Sequence, residues 1–413
     1  MNNLNKLKIL VASALLSSTA VYANDCIDDE ATNCGVIITG SQTIDIDSDI
    51  TTLNKRGVNI FQKGEVILSI DGNITTDSNI TSAAGITIDG SAATNNVINM
   101  IGNILTISRG GAEQLHGIRL TSGASNNTVN VRGNVSTSGN VSSGIIMFNG
   151  NSNNNVTLTG DINLTGTAQS YGVRLYGSPG NVSKDNVVTV NGDINTVNHS
   201  IYVSTDVTDN NVVVNGDIQS SKSAIIFQGD EVTKNVITVN GNVSTTATSS
   251  STISFGSSSD NEVIIVGNVT QSAVKPAIEF GHQGAPTSHN HTLSVSGTIT
   301  SAGTGVSFVN TDLNKLSVTG GIESATNTAI YANETSDYNT VYLDRSSEIE
   351  GRIYNKGHFS DLKNYGNIDG TVNGAASSLD IINSGTITNL YNNQGAATSD
   401  PLTLTGNLPT NYY

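Results

Sequence analysis

Asp161, Asp193 and Asp217 each follow a glycine in the same local frame. On consecutive turns of a repeating fold they would stack about 5 Å apart and repel by on the order of 1 kcal/mol per neighbour in water. A Ca²⁺ ion would relieve that repulsion, because hard cations take oxygen ligands; a solvated acidic stripe is the plainer alternative. His289 and His291 would point to one side of their strand and have the ligand type for a metal, although a pair beside a turn is as readily plain surface. Arg119, Arg174, Tyr202, Ile226 and Tyr331 all occupy outward positions, and an exposed stripe of Arg and aromatic residues is the kind that meets a partner. Catalytic signatures are absent. No Gly-Asp-Ser-Gly surrounds a serine, no Gly-Gly-x-Gly-x-Asp calcium repeat occurs, and no Arg-Gly-Asp is present. Neither a catalytic residue nor a cofactor is expected.

These side chains are held by a repeated line. Asn210-Asn211-Val212-Val213-Val214-Asn215-Gly216-Asp217-Ile218 places Val212, Val214, Gly216 and Ile218 two apart with polar residues between. That is the period of a half-buried strand. The same line returns around Gly72, Gly102, Gly133, Gly160, Gly192, Gly241, Gly267, Gly297 and Gly320, at intervals of about 23 to 32 residues. Self-similarity at such a period marks a solenoid.

A second, shorter line lies between the copies: a small residue, then two apolar positions flanking one outward residue. It reads Gly57-Val58-Asn59-Ile60, Gly117-Ile118-Arg119-Leu120, Gly172-Val173-Arg174-Leu175 and Ser200-Ile201-Tyr202-Val203, among others. Two strand signals per repeat and no helical one predict an all-β chain. The expected fold is a single right-handed parallel β-helix of roughly 11 to 13 coils, with the hand taken from the crossover rule for parallel strands. Such a stack is a rod of roughly 50 to 60 Å.

The recurring glycines are read as corners where another backbone comes close. Asn127, Asn155, Asn186, Asn211, Asn235, Asn261 and Asn290, just ahead of the strands, are read as turn residues that stack into polar ladders.

The chain has 413 residues, a formal charge of −16, 18 Lys and Arg, 42 Gly and no Trp. So few cations make nucleic acid an improbable partner, since phosphate contacts need Lys and Arg. Residues 1–23 read as a signal peptide: Lys6 and Lys8, an apolar run from Ile9 to Val21, and small residues at Val21 and Ala23. The apolar run is too short to span a bilayer. Residues 24–50 then form an N-terminal cap. Cys26 and Cys34 lie close together in it, without Cys-x-x-Cys spacing or two further ligands nearby. In an exported chain they read as one small disulfide loop that staples the cap. Coils run over 51–344, shorter strands closer together over 345–395, and a junction over 396–413.

The C-terminal residues carry a resemblance. Asn383-Ser384-Gly385-Thr386-Ile387-Thr388-Asn389, Asn392-Asn393-Gln394-Gly395 and Thr405-Gly406-Asn407-Leu408-Pro409-Thr410-Asn411 resemble the end of an autotransporter passenger, just ahead of its outer-membrane translocator. With the signal peptide and the coils, this implies a Gram-negative protein exported through the periplasm to the cell surface or beyond. The passenger would be carried by a translocator barrel, which these residues do not contain. It also implies a structural or adhesive role toward a host cell, a neighbouring cell or a carbohydrate.

Two alternatives stand beside it. One is a secreted β-helical polysaccharide lyase or hydrolase. Gly281-His282-Gln283-Gly284 and Asn310-Thr311-Asp312 faintly resemble polygalacturonase motifs, but in reversed order and without the paired Asp or the facing carboxyls that glycoside hydrolysis requires. The other is a two-partner-secreted adhesin, which would show an Asn-Pro-Asn-type motif near the mature N-terminus.

Overall fold

Alternating apolar residues put every second side chain of a strand on one face, and a coil of such strands can bury that face only against its own other sides and against the coils above and below. The computed structural model follows this logic. It describes residues 35–38, 40–79, 83–109, 114–229, 231–282, 288–374, 379–391 and 402–413, and the side chains of 358–360 and 374 lie outside that description. Within these residues the chain is all β and winds as a right-handed-style parallel solenoid of about 13 turns. Residues 1–34, with the signal peptide, Cys26 and Cys34, lie outside the described residues.

Every strand-to-strand pairing is parallel. The first face is a 15-stranded sheet whose members include Asn155–Thr159, Val187–Asn191, Asn211–Val214 and Val236–Val239. Its register places Val190, Val214, Val239 and Ile265 in one file, all buried. The second face holds short strands just past each corner glycine, such as Ile194–Thr196 and Ile218–Ser220, and the third holds strands such as Gln169–Tyr176 and His199–Ser204. Gly321–Ala332 pairs with both Ile299–Ser301 and Val306–Phe308, and so joins these two faces into one 26-stranded sheet. Inside, Phe227, Phe255, Phe280 and Phe308 form a stack with centroids 5.3, 4.9 and 4.8 Å apart and planes within a few degrees of parallel.

The corner glycines are a steric ladder. A Cβ on Gly216 would sit 2.3 Å from the carbonyl oxygen of Gly192, and one on Gly241 would sit 2.2 Å from that of Gly216. No side chain fits where consecutive corners come so close.

The polar ladder takes in Asn127, Asn186, Asn235 and Asn261 as expected and differs at the other three places, where Asn154, Asn210 and His291 stand in it instead of Asn155, Asn211 and Asn290. Its members include Asn96, Asn127, Asn154, Asn186, Asn210, Asn235 and Asn261, all buried. From Asn127 on, each side-chain oxygen accepts the backbone N–H of the ladder residue before it: Asn210 N–H donates to Asn235 Oδ1 at 3.1 Å and Asn235 N–H to Asn261 Oδ1 at 3.0 Å. Asn155 and Asn211 are the exposed residues one step later, at the start of their strands. The left-handed residue is the one before the ladder: Asn153, Asp185, Asp209, Lys234 and Asp260 all have φ near +55°. Asn290 belongs to this set at φ 56° and is exposed. The reason is that the tight turn needs a left-handed residue just ahead of the one whose amide turns inward.

Towards the C-terminus the strands lengthen instead of shortening. Glu348–Asn355 and Asn367–Gly374 have 8 residues each, and Asn364 and Asn383, hydrogen-bonded to one another in adjacent coils, are only 19 residues apart. The coils shrink because connecting turns are lost while the strands merge across two faces. No helix among the described residues is long and apolar enough to cross a membrane.

Candidate ligand-binding groove

On the third face, the coils from Gly57 to Gly172 carry a glycine at the start of the second line. A Cβ on Gly117 would lie 2.2 Å from Val135 Cγ1 and 2.6 Å from the Gly144 carbonyl. The ladder runs His116 to Ser143 and then Ile118 to Ile145, passing over this glycine. The same irregularity in the next coil but one brings Tyr171 and Arg174, an odd number of residues apart, to one side of the strand, the guanidinium 4.9 Å from the ring centroid. Where the small residue is Ser200, Ala224 or Thr252, the strands contract to His199–Ser204, Ile225–Gln228 and Ile253–Phe255.

Three outward columns result. The central one stacks Thr87, Arg119, Ile146, Arg174, Tyr202 and Ile226 on consecutive rungs. On one side run His116, Ser143, Tyr171 and His199; on the other run Thr121, Phe148, Tyr176 and Ser204. The Arg119 guanidinium lies 4.9 Å from the centroid of Phe148, and that of Arg174 lies 4.9, 5.0 and 5.8 Å from those of Tyr171, Tyr176 and Tyr202. Tyr171 and Tyr202 are in ring contact at 4.7 Å. Aromatic faces thus hold the two guanidiniums in place. Arg56 and Asp89 close one end as an ion pair at 3.5 Å.

The groove is rich in buried polar atoms without partners. Thr87 Oγ1, His116 Nδ1, Arg119 Nε and Nη1, Ser143 Oγ, Arg174 Nε, His199 Nδ1 and Ser223 Oγ make no hydrogen bond. Native proteins leave few such groups, and each costs about 1–3 kcal/mol. A cluster of them on one face points to a ligand as the missing partner.

Burial, reinforced by the charges of Arg119 and Arg174, pushes the His116 pKa down to about 3. Burial and then Lys222 push that of His199 down to about 4, against a backbone hydrogen bond at Ser223. Both imidazoles are therefore neutral near pH 7. Burial raises the Tyr171 phenol, with Arg174 opposing and Tyr202 assisting. Burial and then Arg56 lower Arg119, with Asp89 opposing; a guanidinium still keeps its charge.

The structure brings together Arg119, Arg174, Tyr202 and Ile226 but leaves them half-buried, so this stretch is a half-buried face and not an exposed stripe. Tyr331 shares their column four rungs beyond Ile226 and packs instead at 6.0 Å from Tyr354. The sequence reading passed over Ile146 and the His116–Ser143–Tyr171–His199 column. Their signal was present, since each of those four directly precedes the small residue of a second line.

The other candidates part company. Asp161, Asp193 and Asp217 do stack on consecutive coils, and each accepts a backbone N–H from the next: Asp193 to Asp161 Oδ1 at 2.9 Å, Asp217 to Asp193 Oδ1 at 2.8 Å and Asn242 to Asp217 Oδ1 at 2.7 Å. They do what asparagines do elsewhere in that column, as when Asp161 N–H donates to Asn134 Oδ1. Among the described residues no group of three His, Cys, Asp or Glu converges as a metal site. His289 is exposed, whereas His291 is buried with both ring nitrogens engaged inside the polar ladder, so the two do not share a side. His282 lies 3.5 Å from Glu279, and Asp312 accepts the Asp337 N–H.

Compared with known protein families, curated proteins and solved structures, the chain matches none.

Proposed function

We propose that this β-solenoid is a non-catalytic, adhesive protein of autotransporter-passenger type, exported from a Gram-negative cell and working at the surface or in the medium by binding along its third face. The observation that carries the reading is the row of unpaired buried polar atoms flanked by Tyr171, Tyr202 and Arg174. The passenger and export components rest on the signal-peptide pattern and on the C-terminal runs around Asn383 and Asn407.

The lyase reading keeps one supporting observation, that His116, Tyr171 and two arginines meet in one groove. Proton abstraction, however, is most efficient when the base titrates near the working pH. Imidazoles whose pKa values lie at about 3 and about 4 are poor bases at neutral pH and serve better as hydrogen-bonding groups. Asp89 is already engaged with Arg56. Binding is favoured over cleavage.

The test is to express the full chain together with a translocator barrel in a Gram-negative host, follow its access to external protease, and measure adhesion of the purified chain to epithelial and bacterial cells. Surface exposure with saturable adhesion is the expected result. Retention in the cytoplasm, or absence of adhesion to any cell type, overturns the proposal, and chain shortening of a uronate polymer by the purified protein establishes a polysaccharide lyase or hydrolase instead.

A further inference from the structure

We infer that the groove takes an acidic linear glycan lying along the solenoid axis, with Arg119 and Arg174 each holding one of its anionic groups; this rests on the binding role proposed above and specifies the ligand. The charge distribution is the first ground. Over the whole chain 34 Asp and Glu outnumber 18 Lys and Arg. Yet the central column from Thr87 to Ile226 carries Arg119 and Arg174 two rungs apart and no carboxylate, and Asp89, in the neighbouring column, is already paired with Arg56. Among the described residues neither Arg119 nor Arg174 forms an ion pair, although acidic side chains are in excess. An unpaired, half-buried guanidinium whose flat face is occupied by an aromatic ring keeps its hydrogen-bonding edge free, and that edge matches a carboxylate or sulfate.

Spacing is the second ground. Arg119 and Arg174 sit on alternate rungs with Ile146 between them, which separates them by about 9.6 Å along the axis at the strand spacing of parallel sheets. A linear acidic glycan in which alternate sugars turn an anionic group to the protein presents charges at a comparable interval, and the intervening apolar rung meets the sugar between them. The third ground is the flanking chemistry. Thr87 Oγ1, Ser143 Oγ, His116 Nδ1 and His199 Nδ1 are partnerless, and with almost no accessible surface in the free protein they meet a sugar hydroxyl only when the flanking side chains turn aside. Tyr202 supplies a half-buried ring beside them for the apolar face of a sugar.

The experiment is titration of the full chain with four probes at low and high salt: polygalacturonate, heparin, neutral dextran and poly-glutamate. Binding of polygalacturonate or heparin that weakens as salt rises is expected; binding of polygalacturonate shows that carboxylates suffice, and binding of heparin without polygalacturonate assigns the anionic group to sulfate. Arg119→Ala and Arg174→Ala should each lower the affinity at least tenfold, and Tyr202→Ala several-fold. Arg132→Ala, an exposed cation on the 15-stranded sheet, should leave it unchanged. Circular dichroism identifies any variant that fails to fold, and Arg119→Lys, which keeps the charge but loses the planar fork, then serves in place of Arg119→Ala, with a several-fold loss expected. The inference is overturned if dextran or poly-glutamate binds as tightly as the acidic glycans, or if Arg132→Ala weakens binding as much as Arg119→Ala. Failure of both acidic glycans to bind while cell adhesion persists also overturns it, and leaves the adhesive role standing.

Discussion

His291 Nδ1 accepts the backbone N–H of Asn261 at 3.2 Å, the place in the polar ladder that an asparagine oxygen fills in the preceding coils. The imidazole also contacts Ser288 Oγ at 2.9 Å through Nε2 and stacks on Phe255 at 4.6 Å, while the backbone N–H of His291 passes the ladder on to Asn314 Oδ1 at 2.9 Å. The coils thus interlock through a ring that must stay neutral, because protonated Nδ1 has no lone pair to offer.

A pH dependence follows. Burial pushes the His291 pKa down to about 3, from an ordinary value of 6.5. Between these values the unfolded chain binds the proton and the folded chain does not, so stability is full above about pH 6.5 and falls as the pH drops toward about 3. The slope is up to about 1.4 kcal/mol per pH unit for this residue. His116 and His199 act in the same direction. Urea midpoints measured from pH 7 to 4 should fall steadily, and His291→Asn should flatten part of that slope; an unchanged slope in the variant would show that His291 is not the sensor.

Asn235→Ala removes the acceptor of Asn210 N–H and Nδ2–H, at 3.1 and 3.0 Å, and the donor to the Val207 and Thr233 carbonyls, at 2.9 and 3.0 Å. Each buried group left unpaired costs about 1–3 kcal/mol, so thermal melting should shift strongly. Asn211→Ala, at the exposed neighbouring step, should stay within about 0.5 kcal/mol. Equal effects at the two positions would refute the ladder register.

Gly216→Ala places a methyl group 2.3 Å from the Gly192 carbonyl oxygen, where backbone and not a flexible side chain must yield. Overpacking of this kind costs about 1–3 kcal/mol, measurable as a lower denaturation midpoint.

Phe255→Ala opens a cavity between Phe227 and Phe280, both fully buried. The expected loss is about 3–5 kcal/mol. Phe255→Leu should cost clearly less, and calorimetry separates the two.

Arg119→Met should raise thermal stability by about 1 kcal/mol, because a half-buried guanidinium with unpaired nitrogens is replaced by an apolar side chain of similar length. A site residue that weakens the free protein is the mark of a group kept for a ligand. A destabilised Arg119→Met variant would count against that role.

Much of the rung architecture was legible because a parallel solenoid repeats one strand pattern with little interruption. Val190, Val214 and Val239 were readable as one file from period two alone, since a side chain on the wrong face would bury polar groups. The corner glycines were legible for a related reason: a position with no side chain that returns at every turn implies a backbone that is always close.

What the chain determined by itself was therefore the repeat, the inward files and the corners, because these depend on alternation within nine or ten consecutive residues. Only the stacked structure decided which of two adjacent asparagines enters the ladder, Asn210 or Asn211, since both are polar and the choice lies in a left-handed turn at Asp209. It alone placed His291 among the asparagines. It also assembled the groove, in which Arg119, Ile146 and Arg174 are far apart along the chain and neighbours only through rung-on-rung pairing. Whether a guanidinium is paired or left without a partner depends on what the coils above and below bring beside it, and no local pattern carries that information.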